Sequence, residues 1–127
     1  MRSLVAGAIA AIVMSSPAWA QFTVPDETAK PDPATLFANQ CGVCHSLDPA
    51  EQRQGPTLKG VYDRKAGSVP GFAYSPGFAK ADFKWDDEHL EAWLANPQAV
   101  IPGATMLYRQ ADPETREKII AYLQEQH

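Results

Sequence analysis

The sequence predicts an all-α fold of three main helices joined by long loops, and three observations carry that expectation. Apolar residues recur at helical spacing in two segments. Leu90, Trp93 and Leu94 stand at i, i+3 and i+4, and Ile119, Ile120, Tyr122 and Leu123 form a second apolar side. Helix-start chemistry precedes three segments, as Asp32-Pro33, as Asp86 followed by Asp87 and Glu88, and as Asp112-Pro113. Finally, no run alternates apolar and polar residues in the manner of a half-buried strand.

Taken in order, the first helix opens at Asp32-Pro33, passes through Leu36 and Phe37, and is expected to continue from Gln40 to Cys44. From Ser46 to Lys84 the chain is irregular, punctuated by Pro49, Gly55-Pro56, Gly60, Gly67, Pro70-Gly71 and Pro76-Gly77. A structureless tract of about forty residues is unusual in a compact domain unless it encloses something. The second helix runs from about Asp86 to Asn96, where Pro97 limits it, and the third from Asp112-Pro113 to about Gln124. Phe37 and the Ile119–Leu123 face are expected to join the first helix to the last.

The pentad Cys41-Gly42-Val43-Cys44-His45 supplies what the loops would enclose. C-x-x-C-H is the pattern of covalent haem attachment. Residues i, i+3 and i+4 of one helical turn share a face, so both sulfurs and the imidazole can address one flat ligand. The sulfurs would bond the porphyrin rim and His45 would reach the iron. A structural zinc site needs four ligands, whereas the chain has two Cys and three His with no second cluster. A thioredoxin-like pair needs a preceding strand, and Ala34 to Gln40 reads as helix. A plain disulfide would leave His45 without a reason.

Residues 1–20 read as a secretory signal peptide that is removed. Arg2 is the positive start, Leu4 to Met14 is apolar or small, and Ala18-Trp19-Ala20 is an A-x-A cleavage site. The apolar run ends at Ser15-Ser16-Pro17, too short for a membrane span. Residues 21–33 form a flexible leader and residues 34–127 one domain. Loss of Arg2 leaves 10 basic against 15 acidic side chains, a net charge of −5, so a nucleic-acid partner is not expected. Cleavage also removes Met1 and Met14, leaving Met106 as the one thioether. It follows Pro102-Gly103, a turn that can fix its position. Alone, a methionine would be read as core filler; after a haem motif it is a candidate soft ligand to iron.

Further landmarks follow in order: Phe37, Gly55-Pro56-x-Leu58-x-Gly60, Arg64-Lys65-x-Gly67 and Gly71-Phe72-x-Tyr74-Ser75. They continue with Trp85, Leu94-x-Asn96-Pro97, Pro102-Gly103-x-x-Met106 and Ile120-Ala121-Tyr122-Leu123. In these the chain resembles a class I c-type cytochrome over about Leu36 to Leu123. The resemblance implies the cytochrome c fold around one covalent haem c, with His45 and Met106 as axial iron ligands. It also implies that the Pro56 carbonyl fixes the His45 ring and that Arg64, Tyr74 and Trp85 surround a buried propionate. Taken singly, Tyr74 and Trp85 would be core residues and Arg64 a surface charge.

Three departures qualify the resemblance. Trp93 stands where the family commonly has a Tyr whose hydroxyl meets the methionine sulfur, and an indole has only an N–H donor. Tyr108 replaces a Phe beside the haem edge. Gln40, Gln98, Ala99 and Thr105 are neutral where mitochondrial members carry lysine. Docking is therefore expected to lean less on a basic ring, and more on Lys59, Arg53 and Arg109 or on apolar contact. His89, among acidic residues at a helix start, is expected to be a solvated surface residue, and neither it nor His127 is assigned a ligand role.

The function expected is that of a soluble, monomeric, bacterial periplasmic electron carrier meeting larger redox proteins transiently. It would have no membrane span after signal cleavage and would not be an enzyme. Two alternatives stay open: an open-site haem protein, sensor or peroxidase-like, if Met106 leaves the iron free, and a permanent subunit of a redox complex.

Overall fold

The computed structural model describes residues 29–127. The expected signal peptide (1–20) and residues 21–28 of the leader lie outside the described residues. Helix α1 spans Pro33–Gln40, α2 Asp87–Ala95, α3 Pro97–Val100 and α4 Pro113–Gln124.

Each long helix starts on an aspartate. Asp32 accepts from the Ala34 and Thr35 amides at 3.1 Å, Asp86 from the His89 amide at 2.9 Å, and Asp112 from the Thr115 amide at 3.3 Å. These bonds satisfy N–H groups that a first helical turn otherwise leaves unpaired. Pro33 and Pro113 occupy positions where no intrahelical N–H is needed.

Two boundaries differ from expectation. Helix α1 stops at Gln40, so the Cys41–Cys44 segment lies in turns rather than in the helix. The Cys41 and Gly42 amides both reach the Phe37 carbonyl, at 2.8 and 2.9 Å, which widens the helix end. Gly42 permits this, since a Cβ there would lie 2.7 Å from the Ala38 carbonyl oxygen. The second difference is α3. Asn96 is extended (φ −161°) and ends α2, and Pro97, which cannot continue one helix, opens the next.

Helix α4 packs against both α1 and α2, and α2 against α3. The expected joint between first and last helices is present: Phe37 and Tyr122 ring centroids lie 5.3 Å apart. Ile119 is fully buried, among Leu36, Leu90, Leu94 and Leu123 in the core cluster. Among the described residues there is no strand, only an isolated bridge between Lys65 and Lys84. Around that bridge Arg64 and Trp85 are tied backbone to backbone (Trp85 N to Arg64 O, 2.9 Å). A 3₁₀ turn, Pro76–Lys80, presses on the segment after α3. A Cβ on Gly77 would fall 2.6 Å from the Pro102 carbonyl oxygen and 2.8 Å from Ile101 Cγ2. No helix of the described residues is long and apolar enough to cross a membrane.

The α4 cap has a pH signature. Asp112 accepts from the Thr115 hydroxyl at 2.5 Å and pairs with Lys30 at 2.9 Å, and these contacts hold its carboxyl down to about 2 from an ordinary 3.8. A folded-state pKa below the unfolded one stabilises fully above the unfolded value and fades as pH falls through the folded one. Asp112→Ala should therefore lower the melting temperature at pH 6, and the gap to the native protein should close between about pH 4 and pH 2. A gap independent of pH would contradict this; thermal melts across that range decide it.

Candidate functional site

The helices and the long loop enclose a cavity of about 590 Å3, within the size range of small-molecule and cofactor pockets. Its lining contains all eight residues singled out from the sequence: Cys41, Cys44, His45, Pro56, Arg64, Tyr74, Trp85 and Met106. Residues 65 positions apart in the chain thus converge on one space. Leu90, Trp93, Leu94, Ile119 and Leu123 make most of the remaining wall apolar.

At one end stands the pentad. The Cys44 and His45 amides both reach the Cys41 carbonyl, at 3.1 and 2.9 Å, so the three residues share one tight turn although the helix has ended. Cys41 is buried and Cys44 half-buried, with Cys44 Sγ donating to Gln54 Oε1 at 3.2 Å. Burial pushes the Cys41 thiol up to about 11, with Cys44 adding to the shift. Such a thiol is largely protonated at neutral pH and unlike the low-pKa thiolate of a redox-exchange pair.

His45 Nδ1 lies 2.7 Å from the Pro56 carbonyl oxygen. That acceptor places the proton on Nδ1 and leaves Nε2 with its lone pair. Burial, aided by the Arg64 cation, lowers the His45 pKa against the opposing pull of the Pro56 bond, favouring the neutral, ligating form. Gly55 makes room for the ring: its amide donates to the Cys44 carbonyl at 2.7 Å, and a Cβ on it would lie 2.5 Å from His45 Nδ1.

The polar corner holds Arg64, Tyr74 and Trp85. Arg64 Nη1 and Nη2 donate to the Lys59 and Thr57 carbonyls, each at 2.9 Å, which keeps a cation against the cavity and uses only part of a five-donor fork. Desolvation lowers the Arg64 pKa, yet a guanidinium stays charged. The Tyr74 hydroxyl accepts from the Val69 amide at 3.1 Å, so its own O–H remains available to donate. Beside it Ser75 Oγ, another wall residue, is buried with no hydrogen-bond partner. An orphaned hydroxyl inside a cavity is costly unless something in the cavity pairs with it. Cation, phenol and orphaned hydroxyl together suit an anionic group. In the sequence Ser75 is only the end of the Gly71-Phe72-x-Tyr74-Ser75 landmark; the burial of its hydroxyl, which marks it out, is a tertiary property.

Met106 is half-buried and shares the cavity wall with His45 and buried Trp93. Two further wall residues are joined to each other: Tyr108 donates to Gln40 Oε1 at 2.6 Å. Leu107 is 76% exposed beside it, and Val43, within the pentad, is 77% exposed. Arg53 is paired with Glu51 at 2.8 Å, which offsets one of the charges expected to steer docking. His89 is less free than expected: it stacks on Phe83 at 4.2 Å and its Nδ1 lies 2.7 Å from Asp86 Oδ1. It does not line the cavity.

Residues 32–127 match the family model described as Cytochrome c. The chain belongs to the cytochrome c family. It is 42% identical to cytochrome c2 iso-2 of Magnetospirillum fulvum over 84 residues, 65% of this chain and 88% of that protein. Cytochrome c2 of Rhodomicrobium vannielii is 40% identical over 90 residues, 69% of this chain and 72% of that one. Among solved structures, cytochrome cH from Methylobacterium extorquens aligns with a TM-score of 0.66 at 37% identity, covering 74% of this chain and 98% of that one. The fold is thus the cytochrome c fold expected from the sequence. An aromatic and aliphatic wall, a neutral imidazole, a thioether and an anion-suited corner fit the family's haem.

Proposed function

We propose that this cytochrome c family member is a one-electron carrier, exported to the periplasm, with one haem c bonded through Cys41 and Cys44. The observation that carries the reading is the convergence of Cys41, Cys44, His45 and Met106 on a single largely apolar cavity. When bound, the haem supplies the redox chemistry, its iron cycling between Fe(II) and Fe(III). The chain's residues hold and insulate. His45 would hold the iron through Nε2, with Pro56 keeping its ring oriented through Nδ1. Met106 would be the second iron ligand, and a His/Met pair would raise the reduction potential. Arg64, Tyr74, Ser75 and Trp85 would hold the propionate, and Leu90, Leu94, Ile119 and Leu123 would exclude water.

With His45 and Met106 both holding the iron, no place would be left for a substrate, and the protein would make and break no substrate bond. Larger redox proteins are its proposed partners, met through small transient contacts, with the exposed Leu107 and Val43 as apolar contact points.

The test is spectroscopic. The purified, matured protein is expected to show a c-type spectrum in both oxidation states, with a weak near-infrared band from a thioether–iron(III) bond. Its ferrous form should not bind carbon monoxide promptly at neutral pH. Prompt stoichiometric binding would overturn the carrier reading in favour of an open-site haem protein.

A further inference from the structure

On the side before Met106, the loop that presents it is braced by one side chain, while Tyr108 ties it to Gln40 on the side after; nothing in the sequence marks the first for that task. Gln98, the second residue of α3, folds its amide over the following turn. Its Oε1 accepts from the Gly103 amide at 3.1 Å, and its Nε2 donates to the Ala104 carbonyl at 2.6 Å. A longer contact, 3.4 Å, reaches the Met106 carbonyl itself; at that length it contributes little.

Few other bonds could do this. Among the described residues, no backbone–backbone hydrogen bond involves residues 105–109. Tethering resumes at Gln110, whose amide donates to Leu94 at 2.8 Å. Upstream, the Ala104 amide is bonded to the Ile101 carbonyl at 3.1 Å. Thr105 and Leu107, on either side of the methionine, are exposed. A segment with exposed flanks and an unpaired backbone belongs to the least stable part of a fold. The Gln98 amide satisfies a donor and an acceptor there at once, and Gly103 can meet it because its φ of 82° turns the chain back.

We propose that Gln98 is a positioning residue for the sixth ligand: its amide clips the 103–106 backbone in the conformation that holds the Met106 sulfur in the cavity. The proposal rests on Met106 as iron ligand. Two neutral hydrogen bonds of ordinary strength are worth about tenfold in an equilibrium constant. Without them the loop should spend correspondingly more time with Met106 withdrawn. An exogenous ligand that competes for the same position then binds more tightly in proportion.

The experiment uses matured, full-length protein in three forms: native, Gln98→Ala and the near-isosteric Gln98→Glu. The glutamate variant keeps an acceptor for the Gly103 amide but turns the donor toward Ala104 into a carboxylate oxygen. Imidazole is titrated into each ferric protein, the pH at which the thioether band disappears is recorded, and exchange of the Gly103 amide is followed. Both variants should bind imidazole about tenfold more tightly and lose the band at lower pH. Gly103 should exchange faster in Gln98→Ala. A role confined to general stability would lower the melting temperature and leave imidazole affinity alone. Affinities within twofold of native in both variants would overturn the proposal, provided the native band is present. So would an effect in the alanine variant with none in the glutamate variant, since lost volume would then be the cause. Absence of the band in the native protein would overturn the ligand reading itself.

Discussion

Met106→Ala is expected to abolish the thioether–iron(III) band, open the ferrous protein to carbon monoxide and lower the reduction potential. The drop should be a sizeable part of the roughly 0.8 V over which axial ligands set haem potentials. The reasoning is local. Among the described residues Met106 is the one thioether on the cavity wall, which it shares with the imidazole whose Nδ1 is engaged by Pro56. Its neighbour Trp93 carries only an N–H, which cannot ligate iron in its place. Because Met106 is only half-buried, its removal should disturb packing far less than ligation. The melting temperature should therefore move little compared with the potential. Retention of the band together with an unchanged potential would remove Met106 from the ligand set.

Ile119→Ala should produce the largest loss of stability by a core change. Ile119 has no exposed surface, lies on α4, and contributes both to the core shared with α1 and α2 and to the cavity wall. Truncating a buried isoleucine removes its transfer energy and leaves a void, at about 2–5 kcal/mol. For a domain of this size that is a fall of about 10–30 °C in melting temperature. Leu107→Ala and Val43→Ala, at exposed positions, should stay within about 0.5 kcal/mol and serve as comparisons. A loss below about 1 kcal/mol at Ile119 would mean that neighbouring side chains refill the site, so that α4 does not depend on it.

Much of this was legible along the chain because the informative features are local. A capping aspartate followed by proline marks a helix start whatever surrounds it, and α1 and α4 begin where Asp32-Pro33 and Asp112-Pro113 indicate. The pentad also carries its meaning in five adjacent residues. Helix α3 was hidden because Pro97 reads equally as an end and as a beginning, and only the extended Asn96 decides between them. The stop at Gln40 depends on two amides sharing the Phe37 carbonyl, a choice that spacing alone does not express. Ser75 and Gln98 were invisible for a different reason. A hydroxyl becomes informative when it is buried without a partner, and an amide when three backbone groups come within its reach. Gln98 was noticed in the sequence only as a missing positive charge; folded, it is a bracing element.

The close approach at Gly77 links two regions that are far apart along the polypeptide. Ser75, two residues before it, faces the anion-suited corner, while Pro102, which it touches, begins the turn leading to the methionine. With no side chain between them, a displacement of either strip must be passed to the other. A disturbance at the anion-suited corner would then reach the turn that carries Met106, and the two would loosen in concert rather than one at a time.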